Sequence, residues 1–98
     1  MQRRVIEQIY LDSVKTGNKL ILKTNIPQSA GINGIEFQSF ILNPLDEDKV
    51  KRWVTSIDFN VLEIRIKEKG RDANFNLVTY NTYIDYESVV SVVEVVNK

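Results

Sequence analysis

Arg65, Lys67 and Lys69 alternate with Ile64, Ile66 and Glu68, and Arg71 lies two residues further on. Alternate residues of a strand share a face, so these cations form a ladder on one side of a sheet. With Tyr80 as a stacking ring, Arg65, Lys67, Lys69 and Arg71 could follow a phosphate backbone and hold a base. A solvated face whose basic residues discourage edge aggregation accounts for the same pattern, and Glu63, Glu68 and Asp72 dilute its charge. A second set of residues has chemistry of another kind. Val89, Val90, Val92, Val93, Val95 and Val96 crowd the C-terminal segment. Restricted χ1 rotation makes valine a poor helix former and a good strand former. A strand apolar on both faces is either covered twice or offers one face to a partner. Val90, Val92, Val93 and Val95 are therefore the candidate interface, with a second copy of the chain or another protein.

Other chemistries are poorly served. Histidine and cysteine are both absent, which removes the commonest general base, the commonest metal ligand, thiolate sites and disulfides. Ser13, Ser29, Ser39, Ser56, Ser88 and Ser91 have no histidine to activate them and no nucleophile-elbow sequence around them. Gly31 and Gly34 lack the spacing, and the following Lys-Ser/Thr, of a phosphate-cradling loop. Asp46, Glu47 and Asp48, with Asp58 beyond, do not follow EF-hand spacing, and Lys49, Lys51 and Arg52 beside them point to local charge pairing. Tyr80, Tyr83 and Tyr86 recur every three residues, which is not one stripe of a strand, and read as half-exposed packing. The chain does not read as an enzyme, and no cofactor or metal is expected.

Thirteen basic and thirteen acidic side chains cancel, which argues against a surface that attracts nucleic acid or acidic membranes as a whole, though not against a local patch. Ninety-eight residues, 43% of them apolar, make one globular domain over 1–98. Glu7 and Gln8 interrupt Val5, Ile6, Ile9 and Tyr10, so no export leader is read there, and no apolar run is long enough to span a bilayer. The expectation is a soluble cytoplasmic protein without membrane contact.

The elements that must position these residues follow from periodicity. Ile6, Ile9, Tyr10 and Val14 recur at helical spacing, predicting a helix over residues 3–15 that Gly17 and Asn18 stop. Residues 20–26 and 35–42 alternate as strands around turn-rich residues 25–34, and the second, apolar on both faces, is expected to be central in its sheet or covered on both sides. Asn43-Pro44 followed by acids suits a single helical turn before a strand from about residue 50 to residue 58. Leu62, Ile64 and Ile66 then form the inner face of a hairpin. With Gly70-Arg71 as a two-residue turn, Ile66 faces Phe75, Ile64 faces Leu77, and Asn74, Asn76 and Tyr80 share the outer face with the cations. Ile57, Leu62, Ile64, Ile66 and Leu77 are the expected core of this part.

Val54-Thr55-Ser56-Ile57-Asp58, then Leu62-Glu63-Ile64-Arg65-Ile66, then Ile84 to Val92 resemble the core of small SH3-like or Sm-like barrels, at the level of YolD-like proteins and the Hfq/LSm group. The Val-x-x-Ile-Asp strand, the alternating strand and the late Val-x-x-Val closing segment carry the likeness, and a helix before the first strand suits it. The resemblance implies a small barrel. The Lys-His pair of the Hfq RNA site has no counterpart, so no RNA-binding residue is carried over.

The expected fold is mainly β, with an N-terminal helix and five or six antiparallel strands in a bent sheet or small barrel. The expected function is a non-catalytic interaction module that self-associates through the valine strand. The alternative is a small nucleic-acid-binding regulator using the basic hairpin.

Overall fold

A computed structural model describes residues 1–31, 34–50 and 52–96; the expected turn residue Asn33 and the candidate pairing residue Lys51 lie outside them. The fold is mainly β, with one N-terminal helix and six antiparallel strands in two three-stranded sheets.

Helix α1 spans Arg3–Thr16, and Gly17, at φ 73°, ends it in the left-handed conformation that glycine adopts without steric strain. Ile6 is buried and Ile9 and Tyr10 pack on the core, with the Tyr10 and Phe59 rings 5.6 Å apart. Val14 leaves the expected stripe and is exposed. Ser13 is buried in its place, and its hydroxyl donates to the Tyr10 carbonyl at 2.7 Å, so a small polar residue is satisfied within the helix.

Strand β1 runs Lys19–Gly31, five residues beyond the end expected for it, and pairs with β2, Gly34–Leu42. The supposed turn residues from Asn25 to Gly31 continue as an irregular ribbon, with register shifts on either side of Pro27. The other neighbour of β1 pairs no further than Thr24, so Pro27 lacks an N–H where no second strand asks for one. Sheet position also corrects β2. It is the terminal strand of its sheet, and while Phe40 and Leu42 are buried, Ile35 and Phe37 on the ribbon are exposed.

A 3₁₀ turn, Asp46–Val50, leads into β3, Trp53–Phe59. Of the acids of this turn, Asp46 pairs locally, with Lys49 at 3.2 Å, whereas Asp48 reaches Lys19 of β1 at 3.4 Å and the expected local partner Arg52 pairs with Glu68 instead. Strands β4, Glu63–Arg71, and β5, Leu77–Asp85, complete the second sheet in the order β3-β4-β5. A second 3₁₀ turn, Tyr86–Ser88, returns the chain to β6, Val89–Val95, which completes the first sheet as β2-β1-β6.

The hairpin register differs from the expected one. Gly70 and Arg71 remain in strand and face Val78 and Leu77, and the loop is Asp72–Asn76. The Asp72 carboxylate accepts from the backbone N–H groups of Asn74 and Asn76, both at 2.9 Å, while its N–H donates to the Asn76 carbonyl at 3.0 Å. Phe75, not Gly70, takes the positive φ, 64°. Ile64 therefore faces Ile84 and Ile66 faces Thr82, rather than Leu77 and Phe75. The register moves by an odd number of residues, which turns the whole of β5 over. Leu77 is consequently 52% exposed, and Leu62, in the turn before β4, is 83% exposed, so neither belongs to the core. Ile57 packs on it only partly.

The core is one cluster from both sheets and the helix: Ile6, Leu20, Leu22, Phe40, Leu42, Val54, Ile64, Ile66, Ile84 and Val89. Ile64→Ala should lower the unfolding free energy by about 2–4 kcal/mol through lost burial and a residual cavity. Leu62→Ala should change it by less than about 0.5 kcal/mol. Denaturant titration of both variants checks the assignment; equal losses would refute it.

Candidate interaction surfaces

Three strands build the outer face of the second sheet. Residues directly opposite each other share a face, so the ladders place Trp53 beside Lys69 and Thr79, Ser56 beside Lys67 and Asn81, and Asp58 beside Arg65 and Tyr83. Of the expected ladder, Arg65, Lys67 and Lys69 do share this face, and Arg71 extends it opposite Leu77. Tyr80 does not. It faces Glu68 on the opposite side of the sheet. Asn74 and Asn76 lie in the loop instead of on the strand. Tyr83 takes the position expected for Tyr80, and Trp53 stands at the other end. The turn signature Asp72-Ala73-Asn74-Phe75-Asn76 was the signal for this arrangement, because Asx residues close wide loops through their side chains.

The cations on this face are not equivalent. Arg65 Nε donates to Asp58 at 3.0 Å, and Asp58 raises the guanidinium pKa by hydrogen bonding and by charge. Arg71 donates to the Phe75 carbonyl at 3.1 Å and so serves the loop. Lys67 and Lys69 belong to none of the ion pairs among the described residues.

On the inner side of the same sheet, Glu68 is 3% exposed. Arg52 reaches it from the residue before β3, with Nη2 to Oε1 at 2.9 Å. The guanidinium lies 5.1 Å from the centre of the Tyr80 ring, and a Cβ at Gly70 would meet both Arg52 Cγ and the Tyr80 ring at 3.4 Å. Arg52 thus packs beside Gly70, stacking on Tyr80 while pairing with Glu68. Burial raises the Glu68 pKa, and Arg52 opposes the shift without cancelling it. Tyr86, the last of the tyrosine trio, is half-buried and donates to the Asn60 carbonyl at 2.5 Å. Burial raises its pKa too.

The valine strand forms the second surface. In β6, Val92 faces Leu22 and its side chain packs partly on the core, unlike those of the other candidate interface valines. Val90, Val93 and Val95 are exposed, and among the described residues β6 pairs with one strand, β1, while the Met1 ammonium donates to the Val89 carbonyl at 3.3 Å. Val93 lies opposite Ile21, and Ile21 lies opposite Ile41, so an apolar row crosses the outer face of this sheet and ends at the β6 edge.

Among the described residues no helix is long and apolar enough to cross a membrane. Comparison with family models, with curated proteins and with solved structures finds no match, so neither family nor activity reaches this chain from relatives.

The raised Glu68 pKa has a definite sign in a stability profile. The folded state holds the proton more tightly than the unfolded state, so this residue's contribution is full below the ordinary carboxylate value of 4.5 and falls as pH rises through the raised value. Glu68→Gln removes that fall. Urea titrations across pH should show the variant gaining stability relative to the parent from acid to neutral pH; a difference independent of pH would contradict the assignment.

Proposed function

We propose that this chain is a non-catalytic interaction module that self-associates through β6. The observation that supports it best is an open edge strand with Val90 57% exposed and Val93 and Val95 each 38% exposed. Glu94 is its one charged residue. Edge strands of monomers are ordinarily protected by charges, proline or a covering element, and exposed β-branched edges are templates for pairing. A symmetric contact between copies removes the hazard. The helix ahead of β1 and the closing segment β6 are parts on which the resemblance to small SH3-like or Sm-like barrels rests, and that architecture belongs to the proposal.

Sedimentation velocity tests the reading. The parent chain should sediment as a dimer or larger species, and Val95→Lys as a folded monomer. A parent chain that stays monomeric at its highest soluble concentration would refute it.

The outer face of the second sheet supports a second reading, a single-stranded nucleic-acid surface. Lys67 and Lys69, in none of the ion pairs among the described residues, lie between Trp53 and Tyr83, so cations for phosphates lie beside rings for bases. If both lysines meet phosphates, Lys67→Ala with Lys69→Ala should weaken binding of a fluorescent oligonucleotide. The log–log salt slope should also flatten by about 1.4, at roughly 0.7 per contact. Absence of binding by the parent chain at low salt would remove this reading.

A further inference from the structure

We propose that two copies join by antiparallel pairing of β6 with β6 about a two-fold axis through Val93, so that Ser91 faces Val95 of the second copy and Val93 faces its own equivalent. The inference rests on the self-association reading and specifies its geometry.

The shape of β6 selects the segment. Its ladder with β1 is regular from Ser91, opposite Lys23, to Val95, opposite Lys19. The register then shifts, with Val89 opposite Thr24, so Val90 is the extra residue of a bulge. A bulge bends its strand and breaks pairing, which leaves Ser91–Val95 as the straight stretch a second strand can follow. Val93 is the centre of that stretch.

Faces and charge then select the register. Paired residues must point to the same side of the sheet, so in an isologous pair some residue lies opposite its own copy. An axis at Glu94 would set two carboxylates directly against each other, which is destabilising. An axis at Ser91 or Val95 would carry the pairing beyond the regular stretch. An axis at Val92 would run it into the bulge. An axis at Val93 uses the whole regular stretch and places Glu94 opposite Val92. It also extends the apolar row. Ile41, Ile21 and Val93 of one copy would continue into Val93, Ile21 and Ile41 of the other, across a six-stranded sheet ordered β2-β1-β6-β6-β1-β2.

The lack of cysteine makes a clean test available. Opposed Cβ atoms in an antiparallel pair lie about 4.5–5.5 Å apart, within reach of mild oxidation or a short thiol cross-linker. Val93→Cys should give a covalent dimer in high yield. Ser91→Cys combined with Val95→Cys should do so as well, while either alone and Tyr83→Cys on β5 should give little. In the unsubstituted protein, amide exchange should slow with rising concentration within Ser91–Val95. If the parent chain is a dimer but Tyr83→Cys cross-links best, or the concentration-dependent protection falls on β5, the geometry is overturned while self-association stands. If the parent chain is monomeric at every concentration, both fall. The exchange measurement decides the matter even if Val93→Cys fails to fold.

Discussion

The Asp72 carboxylate, bonded to the N–H groups of Asn74 and Asn76, closes the hairpin whose register the rest of this structure depends on. It closes a five-residue loop and thereby sets which residue of β5 stands beside which residue of β4. Side chains alternate along a strand, so this choice decides the fate of every β5 residue. Ile84 enters the core, Tyr80 meets Arg52, and Tyr83 joins the cationic face. A two-residue turn at Gly70 would have buried Leu77 and Phe75 and turned Ile84 outward. The loop holds Phe75 at a positive φ, a conformation uncommon for a bulky aromatic residue, and the hydrogen bonds around Asp72 and Phe75 stabilise it there.

Burial of Glu68 follows from the same register. Glu68 continues the inner face of β4 after Ile64 and Ile66, and it stands between Val54 and Tyr80. A carboxylate so placed requires a partner, and Arg52 supplies one from the connection before β3. The pair thus ties the segment following the 3₁₀ turn onto the second sheet. Breaking such a pair on one side leaves an uncompensated buried charge, whereas its net stabilisation when intact is modest.

The first sheet is organised around β1, which is central and pairs along both edges. Its two neighbours meet different ends. β2 follows β1 outward as a ribbon that exposes Ile35 and Phe37, and β6 stops at Thr24 of β1 and bulges at Val90. The unpaired edge of β6 is therefore short, regular and apolar. Those properties suit recognition of another strand, and they arise from how the chain ends its sheets, with no dedicated motif.

Periodicity and turn chemistry were enough for the helix, its glycine stop, the 3₁₀ turn with its Asp46–Lys49 pair, the existence of the strands, and the outward placing of Arg65, Lys67 and Lys69. These are local properties: a helical stripe, a capping glycine, an i,i+3 charge pair and period-2 alternation each act within a few residues. The partners across strands were not local. Turn chemistry pointed to Gly70-Arg71, whereas the chain turns at Asp72–Asn76. The Asp72–Asn76 loop is the one that also sets Ile84 against Ile64, so loop closure and core packing agree there. Extension of β1 through Pro27 was likewise undecidable from composition, since proline is tolerated only where no second strand needs its N–H. The valines of residues 89–96 announced a strand, but which of them faced inward depended on pairing with Leu22 and on the bulge at Val90. Tertiary structure decided these points because register and edge position are properties of pairs of strands, and alternation along one strand cannot specify them.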